Sequence, residues 1–204
     1  MEDLSIDPSD LQGRQGYFLL TSLVVPRPIA WVSTLDQAGV RNVAPHSFFN
    51  VVATNPLVVQ FVSSSVKDTL RNVEATGEFV VNIVGEDVIE PMNLTAADFP
   101  PEQDEFDWAE LTPQPSVTVK PPRVKEASAA LECTVRDVIK VEQAHMVLGD
   151  VRHLHVSGDI LTEKGRVAEE KLRPVGRLSG AKYSVVTETL SIPRPTYADL
   201  ADDS

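Results

Sequence analysis

Three short stretches in the first half of the chain carry side chains suited to holding a phosphorylated ligand. Ser63-Ser64-Ser65-Val66-Lys67-Asp68-Thr69 sets hydroxyls ahead of a helix start. The free backbone N–H groups and positive end of such a helix attract an anion, and Lys67 adds a point charge beside them. Ser63, Lys67 and Thr69 are therefore candidate phosphate ligands, against the plainer reading of a capped helix on a polar loop. Asn42-Val43-Ala44-Pro45-His46-Ser47-Phe48-Phe49 offers strand-end amides, an asparagine and a small Ala44. A flat ring with donors and acceptors along one edge can approach that backbone closely, with Phe48 or Phe49 as an apolar wall. The alternative is a loop with aromatic core anchors. Arg27 lies between Pro26 and Pro28, so a stiff backbone sets its direction. A phosphate, a structural carboxylate and a neighbouring subunit are all open as its partner. Ser33 and Thr34 end the next strand, where hydroxyls can reach a ribityl chain or a phosphate. Trp31 reads as core or interface. His46 could donate toward a ring, although a satisfied loop histidine is the simpler reading.

The elements that must position these residues are mostly strands. The chain has 204 residues with 42% hydrophobic content, enough for one sizeable core and one domain over 1–204. Fifteen prolines against ten glycines favour strand ends and rigid loops over a helical bundle. After an acidic start with a turn signal at Asp7-Pro8-Ser9-Asp10, Gly16–Thr21 is too short to type. Pro26 and Pro28 force an extended path into a strand over Ile29–Thr34. Asp36-Gln37-Ala38-Gly39 makes a hairpin turn to a partner strand over Val40–Val43. Ala44–Asn50 reads as a compact loop. Asn55-Pro56 is a break, and Leu57–Val62 is a strand buried on both faces. Asp68 or Thr69 caps a short helix stopped by Gly77.

A strand over Glu78–Val84 and a helix over Asp87–Ala97 follow. Residues 98–122 form an acidic, proline-rich excursion whose length suggests a lid, a partner surface or a dimer contact. Val124–Val141 reads as two adjoining strands, and Met146–Val151 and His153–Leu161 continue the sheet. Pro174–Tyr183 is a glycine-punctuated loop, and Tyr183–Ile192 is a last strand or tail. Many short strands with two or three helices imply a closed antiparallel barrel.

Several function classes are excluded. A net charge of -12 argues against nucleic acid or an anionic membrane as partner. Any phosphate site must be local, since the global field repels anions. The single cysteine, Cys133, forms no intrachain disulfide and reads as a buried, inert thiol. No charged leader precedes an apolar run and no stretch approaches span length, so a cytoplasmic location is expected. No dinucleotide-binding glycine signature, P-loop, zincin or nucleophile-elbow motif occurs. His153 and His155 share a strand face but lack a matching third ligand, so no metal is expected. Asp104-Glu105 sits in a stretch that reads as solvated.

PRPIAWVST, the following D-x-x-G, N-x-A-P-x-SFFN, NPLVVQF, KDTLRN, GEFVVN, LEC and RLSGAKY occur in that order. Together they closely resemble the flavin-reductase-like, FMN-binding split-barrel family that includes flavoredoxin and the small flavin reductases. The resemblance spans roughly Gly16 to Pro195. It implies a mainly β fold with a few helices: a six-stranded antiparallel split barrel, working as a homodimer with FMN near the interface. Carried onto this chain, FMN meets Ser33, Thr34, Asn42, Val43, Ala44 and Ser47. Its phosphate lies by Ser63, Lys67 and Thr69 within possible reach of Arg27, and Arg177 and Tyr183 approach the ring. The implied activity is NAD(P)H-dependent flavin reduction, hydride passing to the flavin N5 and electrons passing onward, with no obligatory catalytic side chain. A flavoredoxin-like electron carrier served by a protein partner, an enzyme with its own small substrate, and a barrel without cofactor are the competing readings.

Overall fold

Alternation of buried and outward residues builds one large antiparallel sheet with helices laid against it. The computed structural model describes residues 3–197. The single-domain expectation also covers residues 1–2 and 198–204, which lie outside the described residues. Helix α1 (Gln15–Leu23) leads to a two-residue strand, β1 (Arg27–Pro28). Strands β2 (Ala30–Leu35) and β3 (Arg41–His46) form the expected hairpin. Its turn is made by Asp36 Oδ1, which accepts the N–H groups of Ala38 (2.8 Å) and Val40 (2.7 Å). Gly39 supplies the left-handed residue, at φ 89°.

A second hairpin joins β4 (Phe49–Thr54) to β5 (Leu57–Ser63). Ala44–Asn50 is therefore not a compact loop: it is the end of β3, a two-residue corner at Ser47-Phe48, and the start of β4. Nor is β5 buried on both faces, for Leu57 is exposed and Gln60 and Val62 are half-buried. Helix α2 (Asp68–Thr76) stops where Gly77 turns left-handed at φ 72° and returns its N–H to the Val73 carbonyl at 3.0 Å. Its N-cap is Lys67, without a side-chain cap, rather than Asp68 or Thr69. Asp68 pairs instead with Arg71, and Thr69 points inward.

Strand β6 (Glu78–Ile83) precedes a 3-10 turn and α3 (Ile89–Leu94), shorter than the expected helix. The acidic excursion carries α4 (Glu105–Trp108) and β7 (Pro113–Gln114), and β7 pairs with β8 (Arg123–Val124) just beyond it. Next come β9 (Ala129–Val141) and β10 (Ala144–Val156), one long hairpin where several shorter strands were expected. Register shifts at Leu148/Gly149 and Val151/His153 reset the alternation, which is why one strand reads as two. Gly149 is required there: a Cβ would come within 2.3 Å of the Phe79 ring. The chain closes with α5 (Glu169–Leu172), β11 (Val175–Arg177) and β12 (Tyr183–Val185), which join β1 in a small sheet.

The main sheet runs β3-β2-β6-β9-β10-β5-β4. Its two edges, β3 and β4, are consecutive in the chain, so the Ser47-Phe48 corner carries the backbone from one edge to the other. The Val62 N–H donates to the Phe48 carbonyl at 2.9 Å and stitches that corner to β5. The result is a split barrel, curled shut without a full ladder at the seam. Strand β2 is buried on both sides: Ala30 and Val32 face Phe61, Leu70, Phe79 and Cys133 inside, while Trp31 packs outside with Met92, Phe106 and Leu111. The Trp31 indole N–H donates to Thr95 Oγ1 at 2.9 Å, which settles it as core. Among the described residues, no helix is long and apolar enough to cross a membrane.

Candidate functional site

Several of the candidate ligands gather at the barrel seam. A cleft of about 300 Å³ lies between the end of β3, the Ser63–Asp68 loop and residues 95–101. Of the residues singled out from the sequence, Asn42, Ala44, Ser63 and Lys67 line it. The uncapped start of α2 opens beside Lys67, so its dipole and the ammonium act at the same end. Lys67 Nζ pairs with Asp98 of the excursion, and Ser63 Oγ donates to the Ser65 carbonyl at 2.7 Å.

His46 also lines the cleft. Its Nδ1 lies 3.3 Å from the Val62 carbonyl oxygen, which can only accept, so the proton sits on Nδ1. Nε2 is then an acceptor, and it is buried with no partner. Burial lowers the imidazole pKa to about 4, with the Lys67 charge adding to the effect against the Val62 bond, so the ring is neutral at pH 7. His46 is therefore a neutral, buried ring with one nitrogen unpaired, not the fully satisfied loop histidine that was the simpler reading of the sequence.

Behind the cleft wall lies a polar network that sequence reasoning missed. The Asn42 amide donates to Glu105 Oε1 at 2.9 Å, and its Oδ1 accepts from Thr69 Oγ1 at 2.9 Å and Thr34 Oγ1 at 3.2 Å. Asn72 donates to Thr34 Oγ1 at 3.0 Å, and the Val43 N–H donates to Glu105 Oε2 at 3.2 Å. Thr34, Val43 and Thr69 are thus satisfied inside the protein, and Asn42 lines the cleft with its side chain committed to the rear. Ser33 is also buried, donating to the Pro122 carbonyl at 2.5 Å. Glu105 is only 5% exposed, so Asp104-Glu105 is not a solvated pair. Asp104 caps α4 and pairs with Arg41, which delivers Glu105 inward. Burial pushes the Glu105 carboxyl above its usual range.

Arg27, Ser47, Arg177 and Tyr183 line a neighbouring cleft that shares Pro45 and Ala96 with the first. The two clefts adjoin at the β3 end. A family model described as the flavin reductase like domain matches residues 22–173. The chain belongs to the flavin reductase-like family. Component B of nitrilotriacetate monooxygenase from Bacillus cereus is 37% identical, with 94% of this chain and 100% of that one covered at a TM-score of 0.90. The 2-nitrobenzoate 2-nitroreductase NbaA from Pseudomonas fluorescens is 34% identical, covering 95% and 98% at a TM-score of 0.89. A protein from Aquifex aeolicus (strain VF5) is 46% identical over 172 residues, 82% of this chain and 88% of its own.

Two further groups bear on this flavin reductase-like site by exclusion. Burial pushes the Cys133 thiol up to about 12, so it is no nucleophile. The rings of His153 and His155 lie 4.6 Å apart on β10, and His155 Nε2 contacts Glu132 Oε1 at 2.6 Å. Among the described residues no group of three or more metal-ligating side chains forms.

Proposed function

We propose that this chain is an FMN-binding oxidoreductase, an NAD(P)H-dependent flavin reductase built as one domain over 1–204. The observation that carries the reading is the cleft at the barrel seam. One end offers Lys67, Ser63 and the uncapped N–H groups of α2 to a phosphate. The other offers strand-end backbone beside small Ala44. Membership of the flavin reductase-like family supports the same cofactor.

When bound, FMN supplies a carrier that takes a hydride from NAD(P)H and passes electrons on. The chain's own share is binding, orientation and exclusion of water. Lys67 and Ser63 hold the phosphate. The network of Glu105, Asn42, Thr34 and Thr69 clamps the β3 backbone from behind, so the ring's seat cannot drift. Trp31, Met92 and Phe106 keep water from the rear of the seat. The chain functions as a homodimer in this reading. Its support is exposed apolar surface at Leu20 and Leu23 on α1 and at Val51 and Val52 on β4.

The test is a spectrum of the purified protein before and after addition of NADH. A yellow protein whose flavin bleaches on NADH addition is expected, and a colourless preparation that ignores added FMN sinks the reading. A second reading, reduction of the protein's own small substrate, is favoured by one observation. The cleft holding Arg27 and Arg177 stands open beside the flavin seat, and one relative similar over nearly its whole length is a nitroreductase. Turnover of a substrate without release of reduced flavin distinguishes it.

A further inference from the structure

The neighbouring cleft, of about 360 Å³, is positively charged in an acidic chain. Arg14, Arg27 and Arg177 line it, and no aspartate or glutamate does so among the described residues. The chain as a whole carries -12. Elsewhere Arg41, Arg71, Arg136, Arg152 and Arg173 each lie against a carboxylate. Arg27 is only 8% exposed, and its Nη atoms donate to the carbonyls of Thr21 (2.5 Å), Val24 (2.9 Å) and Leu178 (3.0 Å). Its Nε is buried with no partner. Arg177 donates to the Tyr183 hydroxyl and the Gly180 carbonyl and lies 4.5 Å over the Tyr183 ring. Arg14 lies 4.8 Å over Tyr17 and 5.0 Å over Phe18.

Neutral carbonyls and ring faces satisfy the donors but do not cancel the charge. A buried guanidinium without a counter-ion is costly, and it is more so with a second one close by. Burial lowers the Arg27 pKa, and Arg177 pushes the same way against a larger opposing effect of Tyr17. An arriving anion relieves both. The remaining walls are aromatic and apolar, with Tyr17, Tyr183 and Met92 facing the space. A flat hydrophobic body suits those walls, and a carboxylate suits the uncancelled positive charge.

We propose that this cleft binds a small aromatic carboxylate, its carboxylate against Arg27 and Arg177 and its ring among Tyr17, Tyr183 and Met92. As the site of the second reactant this rests on the flavin reading above, but the binding itself needs no cofactor. The same anionic chemistry could come from the phosphates of a dinucleotide, and the test separates the two sources.

Ligand-observed NMR on the full chain, with and without FMN, would compare benzoate with uncharged benzamide. Benzoate should bind at least tenfold more tightly than benzamide. Arg177→Gln should cost benzoate at least tenfold and leave benzamide unchanged. Arg14→Gln, on an exposed residue where folding is not at stake, should cost benzoate about threefold. Benzoate binding by a chain that never takes up FMN would uphold this cleft while removing the flavin reading. Equal binding of benzoate and benzamide, or full benzoate affinity in both variants, would overturn the proposal. Displacement of benzoate by NADPH in the absence of FMN would also overturn it, since the arginines would then serve a dinucleotide phosphate.

Discussion

Glu105 reaches from the acidic excursion into the barrel wall, and Glu132 reaches from the barrel wall into the excursion. Both are buried, at 5% and 0% exposure, and each pins one end of the same segment. Yet their carboxyls titrate in opposite directions. Glu105 receives the Asn42 amide and the Val43 N–H, and burial prevails, so its pKa is raised. For Glu132 burial acts the same way, but four contacts outweigh it. The N–H groups of Val117 and Thr118, the Thr118 hydroxyl and His155 lie 2.5–2.7 Å away, and the pKa falls to about 2. Four close contacts keep Glu132 ionised, whereas the two longer hydrogen bonds to Glu105 leave it to the effect of burial. Glu132 is a permanent anchor. Glu105 is a weaker clamp that touches the proposed flavin seat through Asn42.

The contrast can be broken by substitution. Glu132→Ala leaves two backbone donors and His155 without an acceptor and should cost about 3 kcal/mol or more, read as a fall in the urea midpoint. Because the folded pKa of Glu132 lies below its usual 4.5, its contribution is present above pH 4.5 and lost as pH falls toward 2. His46 loses its contribution in a higher window. Its folded pKa of about 4 lies below the usual 6.5, so stability should decline by up to about 3 kcal/mol between pH 6.5 and 4. His46→Asn should flatten that slope and leave the lower one in place.

Glu105→Gln should cost less than Glu132→Ala, about 1 kcal/mol, since only the Asn42 amide and the Val43 N–H, at 2.9 and 3.2 Å, face its carboxyl. A cost equal to that of Glu132→Ala would mean that donor number is not the deciding variable. The smallest expected effect is that of Asp98→Asn, which frees Lys67 from an exposed pair and should tighten FMN about twofold in low salt.

Much of the barrel was legible in the sequence because its signals are local. The Asp36–Gly39 turn and the Gly77 stop each depend on neighbours a few residues away. The register shifts in the β9–β10 hairpin were not legible: a bulge inverts the pattern without any marker residue. Nor was the burial of Glu105, whose partners Asn42 and Val43 lie 63 and 62 positions away. An acidic, proline-rich segment reads as solvated because composition averages over it, while the fold buries Glu105, Phe106 and Leu111 within it. The candidate ligands were found as residue types, but their division into two clefts and a rear network depends on which way each side chain turns. The clues to the second cleft were an arginine held between two prolines and the Arg177 and Tyr183 of RLSGAKY.

The most direct test of the flavin seat is a titration of the Lys67→Gln variant beside the natural chain, with FMN and riboflavin followed by flavin fluorescence. The account predicts that FMN weakens about tenfold while riboflavin, which lacks the phosphate, is unchanged. Equal weakening of both, or no flavin uptake by either protein, would contradict it.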